Sequence, residues 1–191
     1  MVEMRVRGLA VDAQSKQPVV ILTDLSETRF LPIWIGVYES EAILLALEKI
    51  QVPRPTTHDL MKSVAESLGA KLEKVVIHTL DDKTSTYYAK LVLVKEGSEP
   101  IEVDARPSDS VALALRFEAP IFVTEDILSQ PSVVKDKEKV NKDIEEFKKF
   151  LADVKPSDFE RYDRSHGGPH DRHPEAGDDH EPGPGEGKDK P

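Results

Sequence analysis

The segment Asp104-Ala-Arg106-Pro-Ser-Asp109 gathers two carboxylates and a guanidinium where an extended stretch turns into a helical one. Upstream, Ile101 and Val103 point to one face of a strand and Glu102 and Asp104 to the other. Arg106 precedes a proline, which favours extended backbone. Pro107 and Ser108 then open a helix, with Asp109 in its first turn. Free backbone N–H groups and an arginine fork at a helix start suit a phosphate. Two carboxylates with a water suit Mg²⁺ or Mn²⁺ instead. The same residues also have a bland use: Asp109 steadies the helix dipole and Arg106 pairs with Asp104.

Arg54-Pro-Thr-Thr-His58-Asp59 repeats this chemistry: an Arg-Pro step, two hydroxyls, an imidazole, then an acid at a helix start. His58 supplies an imidazole, a side chain suited to general acid–base work or metal ligation. The alternative is a capped helix with a surface histidine. A third junction, Trp34-Ile-Gly36-Val-Tyr-Glu39-Ser-Glu41, offers Glu41 near a helix start, and Gly36 there permits close approach. Trp34, the single tryptophan, is expected in the core or an interface. His78 on an apolar strand reads as structural. Dinucleotide fingerprints, phosphate loops, nucleophile elbows and HExxH zinc motifs are absent.

Strands and helices must position these groups. Alternating apolar residues predict a strand over 2–13, with an irregularity at Gly8, and further strands over 19–23 and 30–35. A helix follows over 39–50, then a second to about Leu68, with Thr57 as its cap and Gly69 as its terminator. Strands recur over 71–79, 86–94 and 100–103, a helix over 108–117, and a short strand over 121–123. An amphipathic helix over 136–154 sets Val140, Ile144, Phe147 and Leu151 on one face.

An offset of 68 positions lays Pro32 on Pro100 and Ser40–Leu47 on Ser108–Leu115 without a gap, and puts Glu41 on Asp109. This suggests an internal duplication of a strand-strand-strand-helix unit. The expected fold is α+β, a mixed β-sheet with helices. Residues 1–135 form the principal domain, 136–163 a helix packed on or extending it, and 164–191 a disordered tail. That tail holds His166, His170, His173 and His180 among Gly, Pro and acids.

The formal net charge of -10 works against a DNA reader that relies on general electrostatic attraction. The absence of cysteine excludes disulfides, thiolate metal sites and cysteine nucleophiles. No apolar run approaches the roughly 20 residues that span a bilayer, and MVEMRVRGLAV carries charges inside its apolar stretch. The cytosol is the expected location. Open sheet edges suggest a homo-oligomer, with a dimer favoured.

The runs LPIWIGVYESEAILLAL, RPTTHDL, VDARPSDSVALALR and PIFV, in order and at compatible spacing, resemble the bifunctional nuclease domain family. The resemblance covers about Val6 to Val123. It implies hydrolysis of DNA and RNA phosphodiester bonds, without sequence specificity. It points to the polar positions Glu41, Arg54, His58, Asp59, Asp104, Arg106 and Asp109. Chemistry then suggests their roles. His58, Asp59, Asp104 and Asp109 form the catalytic set, and Arg54 and Arg106 bind phosphate. Glu41, Asp104 and Asp109 would hold Mg²⁺ or Mn²⁺. The rival expectation is a non-catalytic module that binds a small anionic ligand or a partner protein at the same junctions.

Overall fold

The computed structural model describes residues 1–153; the expected tail over 164–191 and the stretch before it lie outside them. Among the described residues, seven strands form one mixed sheet accompanied by five helices, an α+β fold. The first half runs β1 (Val2–Val11), β2 (Pro18–Asp24), β3 (Phe30–Trp34), α1 (Val37–Leu47) and α2 (Thr57–Ser67). The second half runs β4 (Ala70–Asp81), β5 (Thr86–Lys95), β6 (Ile101–Ala105), α3 (Pro107–Phe117), β7 (Ile121–Val123) and α4 (Glu125–Leu128). Helix α5 (Lys137–Asp153) follows. None of these helices is long and apolar enough to cross a membrane.

The strand order is β3-β2-β1-β7-β4-β5-β6. Every pairing is antiparallel except β4 with β7. Two antiparallel meanders thus flank the short strand β7. Both halves begin strand-strand-strand-helix, but β7, between α3 and α4, has no counterpart between α1 and α2. The helices α1 and α3 begin at Val37 and Pro107, 70 positions apart, so the 68-residue alignment is out of step with them by half a turn.

Strand periodicity explains the core. In β2, Val20 and Leu22 enter the main core while Val19 and Ile21 enter a smaller cluster on the other face. In β1 the main-core residues are Val2, Met4 and Val6, then Leu9 and Val11. A bulge between Val6 and Gly8 makes this change of parity, which keeps the apolar side chains on one face. Two further bulges in β4 do the same for Leu72, Val75, Ile77 and Leu80. The irregularity at Gly8 is legible in the sequence; those in β4 are not.

Helices α1 and α2 pack against α3, whose residues Val111 to Ala114 are all buried. Proline at the first position of α3 suits its fixed φ. Helix α5 lies against β1 and closes the smaller cluster with Val140 and Ile144. Gly8 makes room for it, since a Cβ there would lie 3.1 Å from Ile144 Cγ2. Arg7 also donates to Asn141 Oδ1 at 2.8 Å. Trp34 is not in the core: it ends β3, 49% exposed.

Candidate active site at three helix starts

Three helices begin with an acid at the third position after the cap. Glu39 follows Gly36 in α1, Asp59 follows Thr56 in α2, and Asp109 follows Arg106 in α3. An acid there complements the dipole and reaches back towards the free N–H groups. Because α3 packs against both neighbours, these acids meet groups from other helices as well.

Arg106 is the hub. Its Nε donates to Asp109 Oδ2 at 2.7 Å and its Nη2 to Asp109 Oδ1 at 3.1 Å. Its Nη1 pairs with Glu39 Oε1 at 2.8 Å. Asp109 Oδ1 also meets His58 Nε2 at 3.1 Å. The result is a chain Glu39–Arg106–Asp109–His58 that joins all three helix starts. Arg106 stays 64% exposed, whereas His58 is nearly buried. Gly36 accommodates Glu39, because a Cβ at that position would overlap the Glu39 carboxylate.

The charges in this chain hold one another. Burial on its own raises the Asp109 carboxyl, but hydrogen bonds from Arg106 and His58 outweigh it and hold the group below its ordinary range. Asp109, and after it Glu39, in turn push the Arg106 guanidinium further up. With Asp109 ionised, the proton of a neutral His58 sits on Nε2 and Nδ1 is left as the acceptor. A carboxylate that fixes an imidazole tautomer is the orienting half of a general base.

Asp59 faces elsewhere. It accepts from the Thr56 N–H at 2.9 Å and the Thr56 hydroxyl at 2.6 Å, and pairs with Arg116 Nε at 2.6 Å. Burial raises its carboxyl, yet the Thr56 and Arg116 hydrogen bonds bring it down to about 2. Arg116 Nη1 also donates to the carbonyls of Ala42 in α1 and Ala112 in α3, both at 3.0 Å. Arg116 therefore ties the three helices together behind the exposed cluster. Asp59 belongs to this tie, not to the exposed cluster.

The remaining expected residues stand apart. Val103 lies across from Leu91, a main-core residue, so alternation puts Asp104 on the opposite face of the sheet from α3. Asp104 is exposed and does not pair with Arg106; Glu39 takes that place. Glu41 is exposed in α1, and Arg54 is exposed two residues before the cap of α2. Among the described residues, the side chains of Asp104, Glu41 and Arg54 make no ion pair or hydrogen bond.

The expected metal set therefore does not assemble. Among the described residues, no group of three or more His, Asp or Glu could hold a metal ion. Asp109 already has Arg106 and His58 on its oxygens, and Asp104 faces away. The donors present do not fit a preformed Mg²⁺ or Mn²⁺ site.

Neither Glu39 nor Arg116 stands out among the motifs of the sequence. Counting three residues from Gly36 finds Glu39. Arg116, in the last turn of α3, reads from sequence as an ordinary dipole partner, and only the packing of α1 and α2 shows its other contacts.

The fold and this cluster define an α+β domain that presents an arginine and a carboxylate-held histidine where three helices begin. A family model for the bifunctional nuclease domain matches residues 20–136. The chain is 41% identical over 167 residues to an uncharacterized protein of Mycobacterium tuberculosis, covering 83% of this chain and 98% of that one. It is 32% identical over 114 residues to bifunctional nuclease 1 of Oryza sativa subsp. japonica, covering 59% of this chain and 34% of that protein. It is also 32% identical over 95 residues to bifunctional nuclease 2 of Arabidopsis thaliana, covering 49% and 28%. The chain belongs to the bifunctional nuclease domain family, and it spans about a third of the plant relatives' length.

Proposed function

We propose that this protein is a nuclease that hydrolyses DNA and RNA phosphodiester bonds without sequence preference, acting through Arg106, Asp109 and His58. The observation that carries this reading is the Arg106–Asp109–His58 chain, with distances of 2.7 Å and 3.1 Å, at the start of α3. Membership of the nuclease family supports it. A phosphate at the mouth of the cluster accepts from the exposed guanidinium and from the first N–H groups of α3. The negative charge that develops on the equatorial oxygens is offset by Arg106. His58, held by Asp109, takes a proton from the attacking water through Nδ1 and returns it to the leaving oxygen. Glu39 competes with the phosphate for Arg106 and must give way as substrate binds. The reaction needs no base-reading element, which suits activity on both nucleic acids.

The net charge of -10 and the two carboxylates already on Arg106 favour a second reading, a non-catalytic module that binds a small anion or partner. One experiment separates them. Purified full-length chain is incubated with single-stranded DNA and with RNA in Mg²⁺, in Mn²⁺ and in EDTA, beside His58→Ala and Asp109→Asn. The nuclease reading expects cleavage that both substitutions sharply reduce. Cleavage that survives both substitutions, or none in any buffer, removes it. The EDTA arm reads the metal requirement directly.

A further inference from the structure

A cavity of about 220 Å³ lies beside the tie that Arg116 makes between the helices. Leu45 and Ala46 of α1 and Ile50 and Val52 of the loop that follows give it apolar walls. Ile50 and Val52 stay 51% and 38% exposed there, so their side chains are only part covered. Lys49, Asp59 and Arg116 supply the charges of the lining. The cavity is separate from the Arg106 cluster: His58 meets that cluster, while its neighbour Asp59 meets Arg116.

The Arg116 guanidinium is not fully used. Its side chain is only 8% exposed. Its Nε donates to Asp59, and its Nη1 to the carbonyls of Ala42 and Ala112. Its Nη2 makes no hydrogen bond among the described residues, and it is not sealed from solvent. A nearly buried arginine with a spare donor at a cavity wall calls for an acceptor in the cavity. Lys49 lines the same cavity, and among the described residues its side chain makes no ion pair or hydrogen bond. Both oxygens of Asp59 are already taken, one by Arg116 and the other by Thr56.

These groups indicate the chemistry of an occupant. Two cations against one carboxylate leave a single positive charge, which a monoanion balances. A carboxylate can set one oxygen on Arg116 Nη2 and the other on Lys49 Nζ. A phosphate dianion would overshoot the charge beside Asp59 and leave the apolar walls uncovered. At about 30 Å³ for each water-sized group, the cavity holds about seven heavy atoms, which is a carboxylate of about five carbons.

We propose that this cavity binds a short-chain aliphatic carboxylate, with its head on Arg116 and Lys49 and its chain against Leu45, Ala46, Ile50 and Val52. This does not depend on the nuclease reading. The full-length chain is titrated by calorimetry with sodium pentanoate, with sodium acetate and with pentylammonium chloride. Pentanoate is expected to bind saturably at one site. Acetate lacks three methylenes and should bind at least about tenfold more weakly. Pentylammonium should not bind. Ala46→Leu fills the cavity and is expected to abolish pentanoate binding. Lys49→Glu makes the local charge negative and should weaken binding by about tenfold. Lys49 is exposed, so this variant should keep the wild-type circular dichroism spectrum, and it decides the matter if Ala46→Leu fails to fold. No binding of pentanoate overturns the proposal. Acetate or pentylammonium binding as tightly as pentanoate overturns it too, as does an affinity for pentanoate that either substitution leaves unchanged.

Discussion

Replacing Arg116 with methionine removes the guanidinium and keeps most of the stem. The side chain is only 8% exposed, and its charged head serves Asp59 and two backbone carbonyls. Breaking a fully buried ion pair costs about 3–5 kcal/mol, because a charge is left without a partner. Asp59 is 36% exposed, so water takes up part of that charge, and its bonds to Thr56 remain. The expected loss is therefore about 2 kcal/mol, near the low end for hydrogen bonds to charged groups. In a domain of this size that lowers Tm by about 4–8 °C. Adding Asp59→Asn to the Arg116→Met chain removes the orphaned charge and is expected to restore part of the loss. The pH dependence follows from the same pair. The Asp59 carboxyl falls from an ordinary 3.8 to about 2 on folding. A depressed carboxyl contributes stability that is complete above its unfolded value and lost as pH drops through its folded one. Wild type should therefore lose stability between about pH 4 and pH 2, and Arg116→Met should show a flatter curve there. Urea unfolding of the three chains across that range is the assay. An Arg116→Met chain within about 0.5 kcal/mol of wild type, the span of ordinary surface changes, would refute the tie between helices.

Three other outcomes are expected. Glu39→Gln leaves one full carboxylate on Arg106 in place of two, so inorganic phosphate should bind several-fold more tightly by calorimetry; unchanged or weaker binding would show that Glu39 does not compete for the guanidinium. Asp109 carries a depressed carboxyl, so wild type should lose stability as pH falls below the ordinary carboxylate range, and Asp109→Asn should lose less over the same interval in thermal melts. Ile144→Ala opens space over Gly8 and weakens the seat of α5 on β1, at a cost of about 2–4 kcal/mol in urea unfolding; a cost below that of an exposed site would mean that α5 is not docked in solution.

The apolar alternation of β1, β2 and β4 made the sheet legible, and the single residue that spoils the alternation in β1 marked its bulge. Thr-rich and Pro-rich starts marked α2 and α3 to within a residue or so. Position within the first turn was harder. An offset of 68 lays Glu41 on Asp109, while the helix starts stand 70 apart and bring Glu39 to Arg106. Strand parity alone separated Asp104 from α3, and the expected alternation of Val103 and Asp104 already contained that fact. What no local pattern carries is the long-range pairing. The seat of β7 between β1 and β4, and the three-helix contact of Arg116, depend on segments tens of residues apart.

In the proposed reaction Arg106 and His58 act together on one phosphodiester bond. Single-turnover cleavage of an RNA oligonucleotide by wild type, Arg106→Ala and His58→Ala, each confirmed folded by its melting curve, tests it most directly. A positioned acid–base group contributes about 100-fold or more and a donor aimed at developing charge about as much, so each variant should fall by at least that factor, and the double variant by less than the product of the two. Equal rates for wild type and both variants would show that neither side chain takes part in the cleavage.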